Sequence, residues 1–321
     1  MLAVVPITPW HWIAFVGCVL VLLMLDLQVF HRRAHEVRFK EAALWSAMWF
    51  ALAMAFGLGL QSLRGPTESL EFLTGYLIEL SLSMDNIFVI ALVFAHFAIP
   101  SKQQHRVLFW GVLGALVMRG LMIGVGVTLL QMMHWLLWVC GTFLVYSGIK
   151  ALFSKTRINP DESRVIGLTR RFFPVTSQLD GQKFLTRQEG RLALTPLALV
   201  LVVVETMDLL FAVDSIPAVF AVTTRAFIVF TSNVFAILGL RSLYFVLAGA
   251  IAYFRFLRYG LSVVLVFIGV KMLLDPHDRQ PPLWFQTEIP ISISLIVVGG
   301  IILSSILLSV LAGRWKEGRP A

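Results

Sequence analysis

Apolar residues are gathered into nine long stretches, at about residues 10–30, 41–61, 70–96, 106–130, 134–152, 194–222, 226–250, 256–274 and 289–312, and polar and basic residues fill the gaps. Most stretches reach the roughly 20 residues that a helix needs to cross a hydrocarbon core about 30 Å thick. The pattern predicts an all-α polytopic membrane protein of about nine transmembrane helices. The first stretch lacks a basic leader, contains Asp26 and is followed by His31, Arg32 and Arg33, so it reads as a retained helix.

Lysine and arginine fall unevenly between the gaps. Residues 31–40, 97–106, 150–193 and 253–258 and the tail after Leu311 hold 20 of the 26, whereas Arg64, Arg225, Lys271 and Arg279 are all that the alternate gaps carry. Basic connections stay on the cytoplasmic side. The alternation therefore predicts an outside N-terminus and a cytoplasmic C-terminus. The longest gap, 154–193, contains the run Asn159, Pro160, Asp161, Glu162 and the pair Arg170 and Arg171, and reads as a solvated loop that connects or regulates.

Composition agrees with a lipid environment. Hydrophobic residues make up 58% of the chain and charged residues 14%, against roughly 25% charged in soluble domains. The net charge of +8 does not point to nucleic acid, because the basic residues lie between apolar runs and form no basic face. Cys18 and Cys140 lie inside apolar stretches without a Cys-x-x-Cys partner, which argues against a disulfide framework or a thiolate metal site. No nucleophile–base pair or phosphate loop is evident, so the chain does not read as an enzyme, and no resident cofactor is expected.

The third and sixth stretches repeat one pattern. Glu79, five residues, Asp85, Asn86, Ile87 is matched by Asp208, five residues, Asp214, Ser215, Ile216. Gly114 to Arg119 and Gly239 to Arg241 follow, and then Leu-Val-Tyr-Ser-Gly148-Ile-Lys150 is matched by Leu-Val-Phe-Ile-Gly269-Val-Lys271. The chain thus divides into two N-terminal helices (1–61), a three-helix unit (70–153), the loop (154–193), a second three-helix unit (194–275) and a ninth helix (289–312). Three crossings are an odd number, so the second unit enters from the opposite side. Such inverted repeats place a binding site near mid-membrane where they meet.

Asp26, Glu79, Asp85, Glu205, Asp208 and Asp214 lie within the apolar stretches. A carboxylate at the bilayer centre costs several kcal/mol unless something compensates it, with insertion estimates starting at about 2.5. Glu205 and Asp208 share a helix face, but a six-residue gap rotates about 240°, so Asp208 and Asp214 diverge unless the helix breaks locally. Pro217 is a candidate breaker that frees the carbonyl of Val213. With Asn86 and Ser215 as neutral donors, the set is rich in oxygen and suits a hard divalent cation such as Mg²⁺, Ca²⁺ or Mn²⁺. The plain alternative is internal pairing, in which Arg119 and Arg241 neutralise acids and fasten helices. Two arginines do not balance six acids. Asp26, four residues from a predicted boundary, reads equally as a snorkelling acid or a ligand.

The Glu79–Asp85–Asn86 motif, the run Phe-Ala-Val-Asp-Ser-Ile-Pro-Ala at 211–218, Thr231-Ser232-Asn233 and Leu238-Gly239-Leu240-Arg241 together resemble the TerC/Alx family of integral membrane proteins, in its Alx-like branch. The resemblance spans residues 10–311. It implies a bacterial inner-membrane protein that exports manganese, with the acidic motifs of stretches three and six forming the site. The family often carries an acid after the Thr-Thr pair, where this chain has Arg225. The expected function is a secondary transporter that exports a divalent cation, with manganese as its substrate and the bilayer as its environment. The expected metal ligands are Glu79, Asp85, Asn86, Glu205, Asp208, Asp214, Ser215 and, more weakly, Asp26. An alternative is a membrane interaction protein that assists insertion or metalation of exported proteins through the long loop. An amino-acid exporter of similar plan would need a positively charged carboxylate site, and none is evident.

Overall fold

The computed structural model describes residues 7–30, 39–133, 135–153, 164–176, 179–188, 191–248, 256–275 and 284–317. Ten α-helices account for nearly all of it. They are α1 (Pro9–Phe30), α2 (Phe39–Arg64), α3 (Pro66–His96), α4 (Ser101–Met132), α5 (Leu136–Phe153), α6 (Arg164–Phe172), α7 (Pro196–Phe220), α8 (Ala226–Ala248), α9 (Leu257–Leu274) and α10 (Ile291–Glu317). Seven of them are long and apolar enough to cross a membrane, and α1 and α9 contain shorter apolar stretches, Pro9–Leu25 and Tyr259–Leu274. The protein is a polytopic membrane protein built almost wholly of helices.

Helix starts follow local chemistry. Gly65 adopts φ +99°, a conformation that only glycine takes readily, and Pro66 opens α3 where the lost N–H has no intrahelical partner. Thr195 caps α7 by accepting from the Ala198 N–H, and Pro196 again stands first. Pro217 lies inside α7, yet the helix continues to Phe220. The local break that would have brought Asp208 and Asp214 together is absent. The i−4 carbonyl left by a proline is a smaller loss than melting a packed turn whose Ile216, Ala218 and Val219 are buried.

The surface is apolar where that of a water-soluble protein would be polar, and charged residues lie inside an otherwise apolar core. Leu58, Leu121, Val125, Leu303 and Leu307 are exposed, whereas Glu68, Glu71, Glu79, Asn86, Arg119 and Arg241 are buried. Only lipid on the outside makes that arrangement favourable. Helices α3 and α8 are the most enclosed and pack along each other; α3 also contacts α2, α7 and α10, and α4 lies along α7 and α8. An aromatic group fills the contact of α1, α2, α3 and α8, with Phe56, Phe72 and Phe235 rings 4.9 to 5.7 Å apart.

Small residues bring α5 and α9 close. A Cβ on Gly148 would lie 2.8 Å from the Ser262 carbonyl oxygen and 2.9 Å from the Val266 nitrogen, and one on Gly269 would lie 2.8 Å from both the Gly141 carbonyl oxygen and the Val145 nitrogen. Gly148, late in α5, thus meets residues 262 and 266 of α9, and Gly269, late in α9, meets the earlier residues 141 and 145 of α5, so the two helices run antiparallel. Without a hydrophobic driving force in lipid, such backbone proximity supplies the dispersion contacts that hold helices together.

The connection between α5 and α7 is partly structured. Beyond α6, strands β1 (Leu185–Gln188) and β2 (Arg191–Leu194) form an antiparallel hairpin with Leu185 opposite Leu194. Asp180 accepts from the Thr186 hydroxyl at 2.8 Å and from Lys183 at 3.2 Å, bonds that hold its carboxyl below the usual carboxylate range. Gln103 donates to the Gly181 carbonyl, and the Arg106 guanidinium lies over the Phe184 ring at 5.1 Å, fastening the hairpin to the start of α4. The Asn159–Glu162 stretch and the basic turn at residues 31–38 lie outside the described residues.

Candidate cation site

One face of α3 is polar along its length. Glu68, Glu71, Gly75, Glu79, Ser83 and Asn86 follow one another at three- or four-residue steps, and all are buried. Eighteen residues rise about 27 Å, close to the hydrocarbon thickness. On α7, Glu205, Asp208, Ala212 and Ser215 share a face in the same way.

The two faces meet at Arg119 of α4. Its Nε and Nη2 donate to both oxygens of Asp208, at 3.1 and 2.8 Å. Nη1 donates to Glu79 Oε1, to Asn233 Oδ1 of α8 at 3.2 Å and to Ser215 Oγ at 3.4 Å. Arg119 and Glu79 are essentially sealed, and the Asp208 side chain is 15% exposed. Glu79 is the fourteenth residue of 31 in α3 and Asp208 the thirteenth of 25 in α7, so the cluster sits near mid-helix in both.

Among the described residues, several buried oxygens nearby along these faces have no hydrogen-bond partner: Glu79 Oε2, Ser83 Oγ, Asn86 Oδ1 and Glu205 Oε2. The Glu205 carboxyl occupies the space that a side chain at Gly114 would fill, so this glycine makes room for an acid. Glu205, Asp208 and Arg119 also line a cavity of about 20 Å³ walled by Gly111, Val112, Ala115 and Leu240. That volume holds about one water.

The remaining expected ligands are dispersed. Asp214 faces α5, where its Oδ1 accepts from Ser147 at 3.0 Å. Asp85 is half-buried beyond Ser83 on α3. The side chain of Asp26 lies outside the described residues. Among the described residues, no three His, Cys, Asp or Glu side chains are arranged to hold a metal ion together. Glu79, Asp208 and Ser215 are brought together, but around a guanidinium.

A second polar cluster, absent from the sequence reading, stands at the start of α3. Glu68 receives Arg64 and, at 2.9 Å, Nη1 of Arg225. Glu71 accepts from the Thr223 hydroxyl at 2.8 Å and lies 3.7 Å from Arg225. Arg225, which stands where the resemblance expects an acid, is therefore paired with acids of α3. Asn233, which the sequence offers only as the end of the polar run Thr231-Ser232-Asn233 inside an apolar stretch, is buried and joins the Arg119 cluster.

The model of the integral membrane protein TerC family matches residues 64–317, which include both polar faces and both clusters. The chain belongs to the TerC family. It is 49% identical over 308 residues to the uncharacterized membrane protein STKORF319 of Myxococcus xanthus, covering 96% of this chain and 94% of that protein. A protein of Escherichia coli K12 named as a candidate membrane-bound redox modulator, Alx, is 43% identical over 312 residues, 94% of each chain. A membrane protein of Rickettsia bellii is 38% identical over 289 residues, covering 90% of this chain and 95% of its own. No solved structure matches.

Proposed function

We propose that this TerC-family protein is a secondary transporter that exports a divalent cation, manganese, from the cytoplasm by alternating access. The observation that carries the reading is the set of buried oxygens from two helix faces, Glu79 on α3 and Asp208 and Ser215 on α7, converging at mid-helix with a single guanidinium. Oxygen donors suit hard cations, and the family resemblance narrows these to Mn²⁺. The expected ligands beyond this centre are Asp85, Asn86, Glu205 and Asp214, of which Glu205 stands beside it on the cavity that Arg119 and Asp208 also line.

The reciprocal glycine contacts support inverted repeats. Gly148 meets Ser262 and Val266, and Gly269 meets Gly141 and Val145. Gly148 and Val145 occupy the repeat positions of Gly269 and Val266, so each contact is the image of the other. Exchange of α3 with α7 and α4 with α8 likewise turns the α3–α8 contact into α7–α4. Two such three-helix units, with α1 and α2 before them and α10 after, give nine crossings, with the N-terminus outside and the C-terminus cytoplasmic as the basic connections indicate.

Mn²⁺ uptake into inside-out vesicles tests the reading. Wild-type protein should load the vesicles, and Asp85→Asn or Asp214→Asn should lower the rate at least tenfold without loss of folding. Because acids must release protons to bind a cation, uptake should also respond to an imposed pH gradient. Unchanged rates in both variants would refute the acid-lined path. Absence of uptake by the wild type would favour the partner-docking alternative, for which the exposed Leu168, Leu185 and Leu192 of the long connection are the available surface. The redox role in the names of the Alx relatives has no counterpart in a cysteine pair here, since Cys18 and Cys140 are free thiols on α1 and α5.

Gly114→Ala separates the contribution of Glu205 from the rest. The three atoms nearest the added Cβ all belong to the end of the flexible Glu205 side chain, so the stability cost should stay near the low end of about 1–3 kcal/mol. Mn²⁺ affinity should fall several-fold, as read by titration of the purified protein. An unchanged affinity would remove Glu205 from the site.

A further inference from the structure

We infer that Arg119 is a tethered stand-in for the transported cation: its guanidinium holds the acidic site between cycles, and the cation binds by displacing it. The inference rests on the export reading and concerns how the same site is occupied and reset.

The guanidinium and a divalent cation compete for the same atoms. Nε, Nη1 and Nη2 of Arg119 engage Asp208 twice, Glu79, Ser215 and Asn233. A cation bound to Glu79, Asp208 and Ser215 would need the lone pairs that these N–H groups now occupy. The contacts also span three helices other than its own, α3, α7 and α8, so the guanidinium bridges the helices as a bound ion would. Two carboxylates with one guanidinium leave one negative charge, and two carboxylates with a divalent cation leave none. Adding the cation without removing the guanidinium would overfill the oxygen set and place three positive charges on two acids.

A displaced guanidinium has somewhere to go. Glu205 stands three residues before Asp208 on the same face of α7, and its Oε2 is buried without a partner. It lies on the cavity that also contacts Arg119 and Asp208, against the small-residue wall of Gly111, Gly114 and Ala115. A shift from Asp208 to Glu205 keeps the arginine paired while it opens the site. The empty transporter is then never left with two bare carboxylates in a low-dielectric core, a state costly to carry across the membrane.

An occupied site also weakens apparent affinity by the fraction of time that it is open. Removing the competitor should therefore tighten binding. The experiment measures Mn²⁺ affinity of the full-length purified protein, by titration and by the Mn²⁺-dependent rise in melting temperature, for wild type, Arg119→Gln and Arg119→Lys. Arg119→Gln is expected to bind Mn²⁺ at least tenfold more tightly than wild type. It should melt lower without Mn²⁺ and recover most of the difference at saturation. Arg119→Lys, which retains a competing charge, should stay within a few-fold of wild type. A folded Arg119→Gln with wild-type or weaker affinity overturns the inference. So does an Arg119→Gln that fails to fold even in saturating Mn²⁺, because an ion that replaces the guanidinium should restore the helix contacts. Wild-type protein that neither binds nor moves Mn²⁺ fails the export reading itself and takes this role of Arg119 with it. Wild-type binding with no gain in Arg119→Gln fails the inference alone.

Discussion

Asp208→Asn is expected to destabilise the protein by about 3–5 kcal/mol, the usual cost of removing one partner from a buried ion pair, and to abolish Mn²⁺ binding. Asp208 takes two of the five hydrogen bonds that Arg119 donates to acid, amide and hydroxyl groups. Asparagine keeps the shape but turns one acceptor into an N–H₂ group that faces the guanidinium. Glu79 alone would then balance Arg119 in a site sealed from water. The second change Arg119→Gln should return part of the loss, since the pair is neutralised together, and the double-mutant cycle should give a coupling of about 1 kcal/mol or more. Thermal or denaturant unfolding in detergent reads both quantities. An Asp208→Asn protein as stable as wild type would mean that the pair does not organise the helices.

The second large effect is expected where α5 and α9 touch. Gly148→Val and Gly269→Val should each lower stability by at least about 1–3 kcal/mol, the range for overpacking, because the obstructing atoms are largely backbone. A Cβ at Gly148 meets Ser262 and Val266 main chain, and one at Gly269 meets Gly141 and Val145 main chain. Neither neighbour can rotate away, so the helices must separate. Having separated for one substitution, they should accommodate the other at reduced cost, and the double variant should lose less than the two single losses added. Gly17→Val, on α1 with nothing within 4 Å of the added Cβ, is the control and should melt as wild type does. If all three melted alike, the tight crossing would not hold the two halves together.

Much of this was legible in the letters. Long apolar runs predict the helices because a backbone in lipid must satisfy its own hydrogen bonds. Buried charge identified Glu79, Asp208 and Arg119, since each would be too costly in lipid without a partner. What pairs with what was not legible. Arg119 joins Glu79 across 40 residues and Asn233 across 114, and helical periodicity gives the face of a residue but not the helix opposite it. Asp214 could join Asp208 only if Pro217 broke the helix locally. The turn stays intact, so the 240° of the six-residue gap turns Asp214 toward Ser147 instead. Glu68 and Glu71 stand at the edge of the apolar run, where acids are ordinarily solvated. Here a glycine–proline start and the Thr223–Arg225 segment bury them.

The long sequence separations within the Arg119 cluster set a timetable for biogenesis. Synthesis proceeds at about 5–20 residues per second, so Arg119 follows Glu79 by about 2–8 s and Asp208 follows Arg119 by about 4–18 s. During the first interval α3 carries Glu79 with no arginine to meet it, and during the second Arg119 has one acid instead of two. Each unpaired charge makes α3 and α4 costlier to hold in lipid, by about 2.5 kcal/mol or more, until α7 emerges. Helices α3 and α4 therefore depend for their pairing on a segment that has not yet been translated when they are complete.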